Sequence, residues 1–539
     1  MALLFSWTLS MSTVAGALLA LYSFYVVGVA IHRLYFSRYA KFPGPKLAGL
    51  TYGYMFYYDA IGGKGQYMHR IREMHEEYKS PIIRISPHEL HVNDPDFYDV
   101  LFAGAHTKRD KPPTWSHAFA NIDSVFGTIS HEKHRVRRSA LNPLFSQSSL
   151  RKLEPLIQDK IDRLVSVFRR YQQTGEVLPM RAAFAALTSD IIADYCFGAS
   201  ENYIEAAGFN AVVLETTDSL TENMHITVQF QWLPRLMDSL PDKIVEGMLG
   251  EGMAKFNELK RHCVKKIKET MASVGDFRDV KHRTIFHELL GNSTLPPEDK
   301  SVDRLWQEAQ VLLSAGTVTT ATSISSALVF LLLDQDRLKV LLEELEVAMP
   351  DISKPAREAD LQRLPYLNAV VQETLRLVSG VSYRIARSAP DEMLQVGKWN
   401  IPPNTAIGMH APLIHHSPVV YPEPHAFIPE RWLSSTSTKL THLPSRPPGI
   451  PQANPKYLMP FSKGTRHCLG QPLAYAEVYM TLAAVLRTFM RLERAEDGTV
   501  TAVKGMKLWE TDKRDTELVH DMGFPSPAVG RGNTRVVFD

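Results

Sequence analysis

The chain is poor in cysteine: three in 539 residues, Cys196, Cys263 and Cys468, too few and too scattered for a disulfide framework or a zinc cluster. Reduced thiols on a cytosol-facing domain suit that scarcity. Net charge is nearly absent as well. Lys+Arg number 60 against Asp+Glu 58, so no global field favours nucleic acid, and any basic patch must be local. No Gly-x-Gly-x-x-Gly occurs, which leaves the chain without the dinucleotide-binding fingerprint. Hydrophobic residues at 45% and charged residues at 22% describe a globular protein with a large core.

The sharpest absence is local. From Met1 to Ile31 there is no Asp, Glu, Lys or Arg. Leu9 to Ile31 is rich in Leu, Val, Ala, Phe and Tyr, and about 20 apolar residues suffice to cross a bilayer. A cleaved signal peptide would need a basic start and a shorter apolar run. Here Arg33, Arg38, Lys41 and Lys46 follow the apolar stretch, so the span reads as an uncleaved single-pass anchor whose basic side stays cytoplasmic. Phe42-Pro43-Gly44-Pro45 then discourages helix continuation and reads as a stiff hinge. Residues 1–45 are therefore expected to form anchor and hinge, and 46–539 one catalytic domain without linker or repeat.

The body predicts a mainly α fold with a minor β-sheet. Leu150 to Arg170, Ala254 to Val274 and Val302 to Asp334 carry apolar residues at three-to-four spacing. Ile82 to Ile85 and Glu89 to Val92 read as short strands, and Met393 to Ile407 as a turn-broken small sheet. Prolines accumulate from Thr441 to Pro460 and predict an extended loop.

That loop leads into Phe461-Ser462-Lys463-Gly464-Thr465-Arg466-His467-Cys468-Leu469-Gly470, just ahead of a helical run. Amides at a helix start favour an anion and draw a thiol toward thiolate, a good iron ligand. Gly464 and Gly470 allow tight turns and close approach to a flat macrocycle. Arg466 offers a fork for a carboxylate. A lone cysteine is usually a buried structural one. Five specified positions in this window would arise by chance in fewer than roughly one chain per thousand of this length, at residue frequencies near ~5%. The loop resembles the Phe-x-x-Gly-x-Arg-x-Cys-x-Gly signature of the cytochrome P450 family, with Ala474 at the small position that follows.

The resemblance extends upstream. Glu373-Thr374-Leu375-Arg376 is similar to the family's Glu-x-x-Arg, and Pro429-Glu430-Arg431-Trp432 to the segment whose arginine completes a Glu373–Arg376–Arg431 cluster that locks the cysteine loop. Ala315-Gly316-Thr317-Val318-Thr319-Thr320 resembles the oxygen-binding groove: Ala315 and Gly316 make room, and Thr319, with Thr320, delivers protons. Val318 departs from the usual acid, so the relay runs through Thr319, Thr320 and water, or through the substrate's own hydroxyl; the bland reading is that Val318 widens an apolar pocket while oxygen chemistry persists. His131-Glu132-Lys133-His134-Arg135 resembles the propionate-binding helix, placing His131 and Arg135 there, and Arg387, rather than Arg384, is the further propionate contact.

As implied by the resemblance, Cys468 ligates the iron of heme b, and the reaction is monooxygenation with electrons from a separate membrane-bound NADPH-cytochrome P450 reductase. Lys133, Arg137, Arg138 and Lys463 would face that acidic partner. Phe119 to Ile129, Leu312 to Val318, Val378 to Tyr383 and Phe524 are the expected pocket walls, which suit a lipophilic substrate arriving from the endoplasmic reticulum membrane; Phe230 to Leu240 would dip into it. The tract around Arg137-Arg138 and Leu141-Asn142-Pro143 resembles fungal members acting on terpenoid or polyketide secondary metabolites. Two other classes stay open: a heme-thiolate isomerase or dehydratase needing no reductase, and a heme-binding protein without catalysis.

Overall fold

A computed structural model of the chain describes residues 11–116, 118–119, 121–209, 212–273, 284–434 and 443–539. Helix α1 (Met11–Ile31) has no buried residue and ends in a π-helical turn through Phe36; Leu9 and Ser10 of the expected span lie outside the described residues. An apolar helix with no protein to cover it suits a bilayer. The Phe42–Pro45 turn does not stand free as a hinge. Arg84 N donates to Pro43 O at 2.7 Å, and Tyr39 and Phe42 are buried, so the body's packing begins ahead of Lys46.

Helices carry most of the body, with strands confined to small sheets of two to four strands among the described residues, as the periodicity predicts. The elements that position the site are α2 (Tyr67–Tyr78), β1 (Ile82–Arg84), β2 (Glu89–Val92), α3 (His131–Leu141), α4 (Gln147–Thr174), α5 (Met180–Phe197), α6 (Glu251–Ala272), α7 (Val302–Leu333), α8 (Pro365–Val378), β3 (Ile385–Arg387), β4 (Ala406–Met409), α9 (Gln471–Phe489), β5 (His520–Asp521) and β6 (Pro525–Ser526). Helix α4 shows the local logic. Ser146 caps it by accepting from Ser149 N, Leu150, Leu153, Ile157, Ile161, Leu164 and Phe168 bury one stripe, and Gly175 closes it in the left-handed conformation at φ 70°. Helix α6 stops at Ala272, and Val274 of the expected stretch lies outside the described residues. Thr441 and His442 of the proline-rich loop do so too.

Helix α7 is apolar nearly all round and long enough to span a membrane, yet most of it is buried. It is the core helix against which α5 and α6 pack, which is how an all-round apolar helix exists in a soluble domain. The four-stranded sheet runs β1-β2-β4-β3, with β2 and β4 parallel and the outer pairs antiparallel. The segment Met393 to Ile407 supplies the hairpin Leu394–Val396/Trp399–Ile401 and then enters β4.

One buried carboxylate ties the C-terminal half together. Glu373 on α8 accepts from Arg376 at 2.8 and 2.9 Å, from Arg431 Nε at 3.1 Å, from Trp432 Nε1 at 2.8 Å and from Ile428 N at 3.0 Å. Glu373, Arg376 and Arg431 are between 0% and 1% exposed. Arg376 also donates to the carbonyls of His415, Pro424 and Ala426. His415 Nε2 accepts from Met459 N at 3.0 Å, which requires the neutral imidazole that burial enforces. The cluster thus reaches the cysteine loop through main-chain bonds.

A second buried row holds the C-terminal hairpin. His75 Nε2 meets His91 Nδ1 at 2.7 Å, His91 Nε2 meets His410 Nδ1 at 2.9 Å, and His410 Nε2 lies 3.6 Å from Asp521 Oδ2. A neutral imidazole has one donor and one acceptor, and with His75 Nδ1 donating to Ser80 O at 2.7 Å, neutral rings pass hydrogen bonds along His75, His91 and His410, leaving His410 Nε2 beside Asp521 without a hydrogen-bond partner among the described residues. Ser382 Oγ donates to Asp521 Oδ1 at 2.7 Å, fixing the hairpin that presents Phe524.

Glu373→Ala leaves two buried guanidiniums without their carboxylate and is expected to cost about 3–5 kcal/mol; the check is a melting temperature and the yield of heme-loaded protein, both of which fall. Burial lowers His75 to about 4 and His416 to about 3, and pushes His91, His410 and His415 down as well. The unfolded chain therefore binds more protons, and the stability these histidines confer is present above about pH 6.5 and lost as pH falls. Asp59, raised by burial to about 6, opposes this between pH 6 and 4, as do Glu477, Asp190, Glu154 and Glu358, which burial also raises, but the depressed histidines are the more numerous. Melting temperature is expected to drop from pH 7 to pH 5; a flat profile would count against the buried neutral row.

Candidate active site

A mainly apolar cavity of about 320 Å³ lies between α7, α9, the cysteine loop and the segment after β5, and Cys468 lies on its floor. The loop is built to hold that position. Cys468 N donates to Phe461 O at 2.8 Å, and the Phe461 ring packs on Tyr475 with centroids 5.1 Å apart. Gly464 has φ 73°, and a Cβ there would collide with the carbonyl oxygens of Phe102 and Ala103, so only glycine lets the loop back onto that strand of chain. The close approach Gly464 allows is to protein backbone; Gly470 faces open space beside the thiol.

Two effects compete at the sulfur. Burial raises the Cys468 thiol, while amide bonds from Gly470 and Gln471 and the nearby Arg138 guanidinium pull it down. Burial wins in the protein alone, which differs from the simple helix-start expectation. A cation bound at the sulfur would reverse the balance, since a coordinating thiol is deprotonated outright.

Four cations face the same cavity: Lys111, Arg138, Arg387 and Arg466. None has a carboxylate partner within ion-pair distance among the described residues. Burial and mutual repulsion lower Arg387 to about 9, and burial lowers Arg466 to about 10. Lys111 is pushed down strongly by the same causes, though its ammonium donates to Phe126 O and lies 3.7 Å from that ring's centroid. Arg466 spends its terminal nitrogens on Thr128 O at 2.6 Å and Ile129 O at 2.7 Å, leaving Nε buried with no partner among the described residues. Uncompensated buried cations are costly and imply an anionic ligand. A macrocycle with two carboxylates, lying on a thiol, fits this donor set.

The structure brings together Phe461, Gly470, Cys468, Arg466, Arg387, Ala315, Gly316, Thr319 and Thr320 around one space, with Gly464 packed behind it on the Phe102–Ala103 backbone, but it moves the α3 contacts. Arg135 is 72% exposed and pairs with Glu132, and His131 is buried away from the cavity, accepting from Arg109 N at 3.3 Å. His134 and Arg138 line the cavity instead. The shift was legible: His134, Arg138 and Leu141 share a face that continues to Phe145, whereas the face of Arg135 runs on to Ser139 and Asn142. Arg384 is spent on Glu89 at 2.9 Å, leaving Arg387 as the cavity residue of β3. The expected basic docking face also changes. Arg137 is buried on Asp299, Arg138 faces the cavity, Lys463 pairs with Asp99, and only Lys133 of the four is exposed without such an assignment.

On α7, Ala315 opens to the cavity, while a Cβ at Gly316 would press Ile192 at 3.1 Å, so this glycine chiefly lets α5 pack close. The helix is unbroken through Leu333. Thr319 Oγ1 donates to Ala315 O at 2.9 Å from the cavity side. Val318 does not widen the cavity: it is not among the lining residues and is buried in the core. Sequence reasoning missed Glu477, nine positions after Cys468. Its carboxyl lines the cavity within hydrogen-bonding reach of Thr320, one oxygen has no partner among the described residues, and burial holds it well above the usual carboxylate range. The available signal was a single acid within the apolar run Leu473 to Leu486.

The α3 register is testable. Arg138→Ala is expected to speed transfer of heme to an excess of apomyoglobin by about tenfold, the scale of one lost charge-assisted hydrogen bond, while Arg135→Ala leaves the rate unchanged.

Comparison with known proteins agrees with this geometry. The family model described as Cytochrome P450 matches residues 43–509. The cytochrome P450 monooxygenase tpcC of Cochliobolus heterostrophus is 39% identical over 510 residues, covering 93% of each chain. The tryptophan 6-hydroxylase fscE of Fusarium equiseti is 36% identical, over 97% of this chain and 96% of its own. The N-acetyltryptophan 6-hydroxylase ivoC of Emericella nidulans is 35% identical, over 95% of each. The chain belongs to the cytochrome P450 family, and is an oxidoreductase of its monooxygenase class.

Proposed function

We propose that this chain binds heme b through the Cys468 thiolate and hydroxylates a lipophilic small molecule in fungal secondary metabolism, on a terpenoid, polyketide or aromatic amino-acid-derived skeleton. The observation that carries it is the Cys468 thiol opening into an apolar cavity rimmed by Lys111, Arg138, Arg387 and Arg466. The two tryptophan-hydroxylating relatives support the aromatic member of that set. When bound, the heme supplies the redox chemistry: with two electrons and two protons, dioxygen gives one oxygen atom to a substrate C–H bond and the other to water.

The protein's own residues divide the remaining work. His134, Arg138, Arg387 and Arg466 hold the heme propionates, with Lys111 beside them. Ala315 leaves space next to the reacting centre. Thr319 Oγ1 presents a hydroxyl on the cavity side, and Glu477, kept protonated by burial, holds a proton against Thr320 Oγ1. That carboxyl is a proton source independent of position 318. Phe119, Phe126, Leu220, Val381 and Phe524 exclude water and wrap the substrate. The electrons come from NADPH-cytochrome P450 reductase. Helix α1 anchors the chain in the endoplasmic reticulum membrane with residues 46–539 on the cytosolic side, and exposed Trp232, Leu236 and Leu240 support contact of that region with the same bilayer.

Product formation by the reconstituted enzyme is expected to require both NADPH and reductase; turnover that continues without them would overturn the monooxygenase mechanism. Glu477→Gln keeps the volume but loses the proton, so product formed per NADPH consumed is expected to fall by about tenfold or more, the lower range for a general acid, at unchanged heme content.

A further inference from the structure

On the cavity wall formed by α7 and the loop at Asn121 stand three uncharged polar side chains. Gln310 and Ser314 stand one turn apart on α7, and Asn121 approaches them from the loop opposite, its Nδ2 3.4 Å from Gln310 Oε1. All three line the cavity and are nearly inaccessible: Asn121 3%, Gln310 2% and Ser314 7% exposed. Asn121 Oδ1 and Ser314 Oγ have no hydrogen-bond partner among the described residues.

These atoms are not needed to fold the loop. Its main chain is held by other side chains of α7: Gln307 Oε1 accepts from Asp123 N at 2.9 Å, and Glu308 Oε2 accepts from Val125 N at 3.0 Å. A buried polar atom left unpaired costs about 1–3 kcal/mol, a cost that persists only where something else completes the bond. Around this spot the lining is hydrocarbon and aromatic. Glu308, which also lines the cavity and holds Val125 N of the same loop, puts a carboxylate on this wall.

We infer that the substrate is a neutral lipophilic molecule carrying one amide, whose N–H is accepted by Asn121 Oδ1 and whose carbonyl takes the Ser314 hydroxyl. Held at that point, the molecule pivots about a fixed anchor, and the carbon presented toward Ala315 and Thr319 is selected by its distance from the amide. This deepens the monooxygenase reading and rests on it only in taking the cavity's apolar half for substrate. Asn121 and Ser314 are thereby specificity-determining positions. A pure hydrocarbon leaves both atoms unpaired, and a carboxylate meets Glu308.

The test uses the full-length, heme-loaded protein and two probes of matched shape, benzanilide and trans-stilbene, with 4-biphenylcarboxylate as the anionic control. Dissociation constants are read from the change in heme absorption on titration. Benzanilide is expected to bind about tenfold more tightly than stilbene, the worth of one or two buried hydrogen bonds. Asn121→Leu and Ser314→Ala are each expected to reduce that preference by about threefold or more, with stilbene affinity held within about twofold. The reduced, carbon monoxide-bound spectrum confirms that each variant retains its heme; should Asn121→Leu lose it, Ser314→Ala alone decides. Equal affinity for the two probes, no response to either, tightest binding of the carboxylate, or a preference that survives substitution would overturn the inference. NADPH- and reductase-dependent oxidation that persists in that event leaves the monooxygenase reading standing, so the two can fail separately.

Discussion

The arrangement of this protein depends on one buried carboxylate satisfied from every side. Glu373 takes two guanidiniums, an indole N–H and a backbone amide at once. Through Arg376 it fixes His415, through His415 the amide of Met459, and through that turn the carbonyl of Phe461 that accepts from Cys468 N. The position of a reactive sulfur is thus set by hydrogen bonds that begin some distance away in a region with no water to compete for them. A network this completely satisfied resists repacking, because loss of any one partner strands a buried charge.

The cavity above the sulfur has two chemically distinct ends. Its rim gathers cations that the protein does not neutralise, at the cost of lowering Lys111, Arg387 and Arg466 below their ordinary values. Its far wall is aromatic and aliphatic, interrupted by Asn121, Gln310 and Ser314. The first end suits a dianionic macrocycle and the second a largely apolar guest. The thiol between them is balanced in the same way: burial alone favours the protonated form, and the two amides and Arg138 prepare it to lose that proton when a metal cation arrives.

How much of this could be read from the chain alone depended on whether the signal was local. The long helices, the pair of short strands and the cysteine loop were legible because spacing, capping and turn residues act over a few positions. The α3 contacts were placed one turn off, since motif likeness favoured His131 and Arg135 where the buried face through His134, Arg138 and Leu141 decides. Val318 drew attention as a missing acid, but its direction into the core needs the packing of α5 and α6 on α7 to be seen. Glu477, Lys111 and Asn121 carry no local signal of their roles; each becomes informative only when burial leaves a polar atom facing the cavity. The His75–His91–His410–Asp521 row joins residues more than 400 positions apart, beyond the reach of any sequence window.

The central claim is that Cys468 holds the heme iron as a thiolate. Its most direct measurement is the absorption spectrum of the reduced, carbon monoxide-bound protein, wild type beside Cys468→His. The account predicts the far-red-shifted Soret band of thiolate ligation in the wild type and a band at shorter wavelength in the variant. A heme-loaded wild type without the shifted band, or a variant that keeps it, would contradict the assignment.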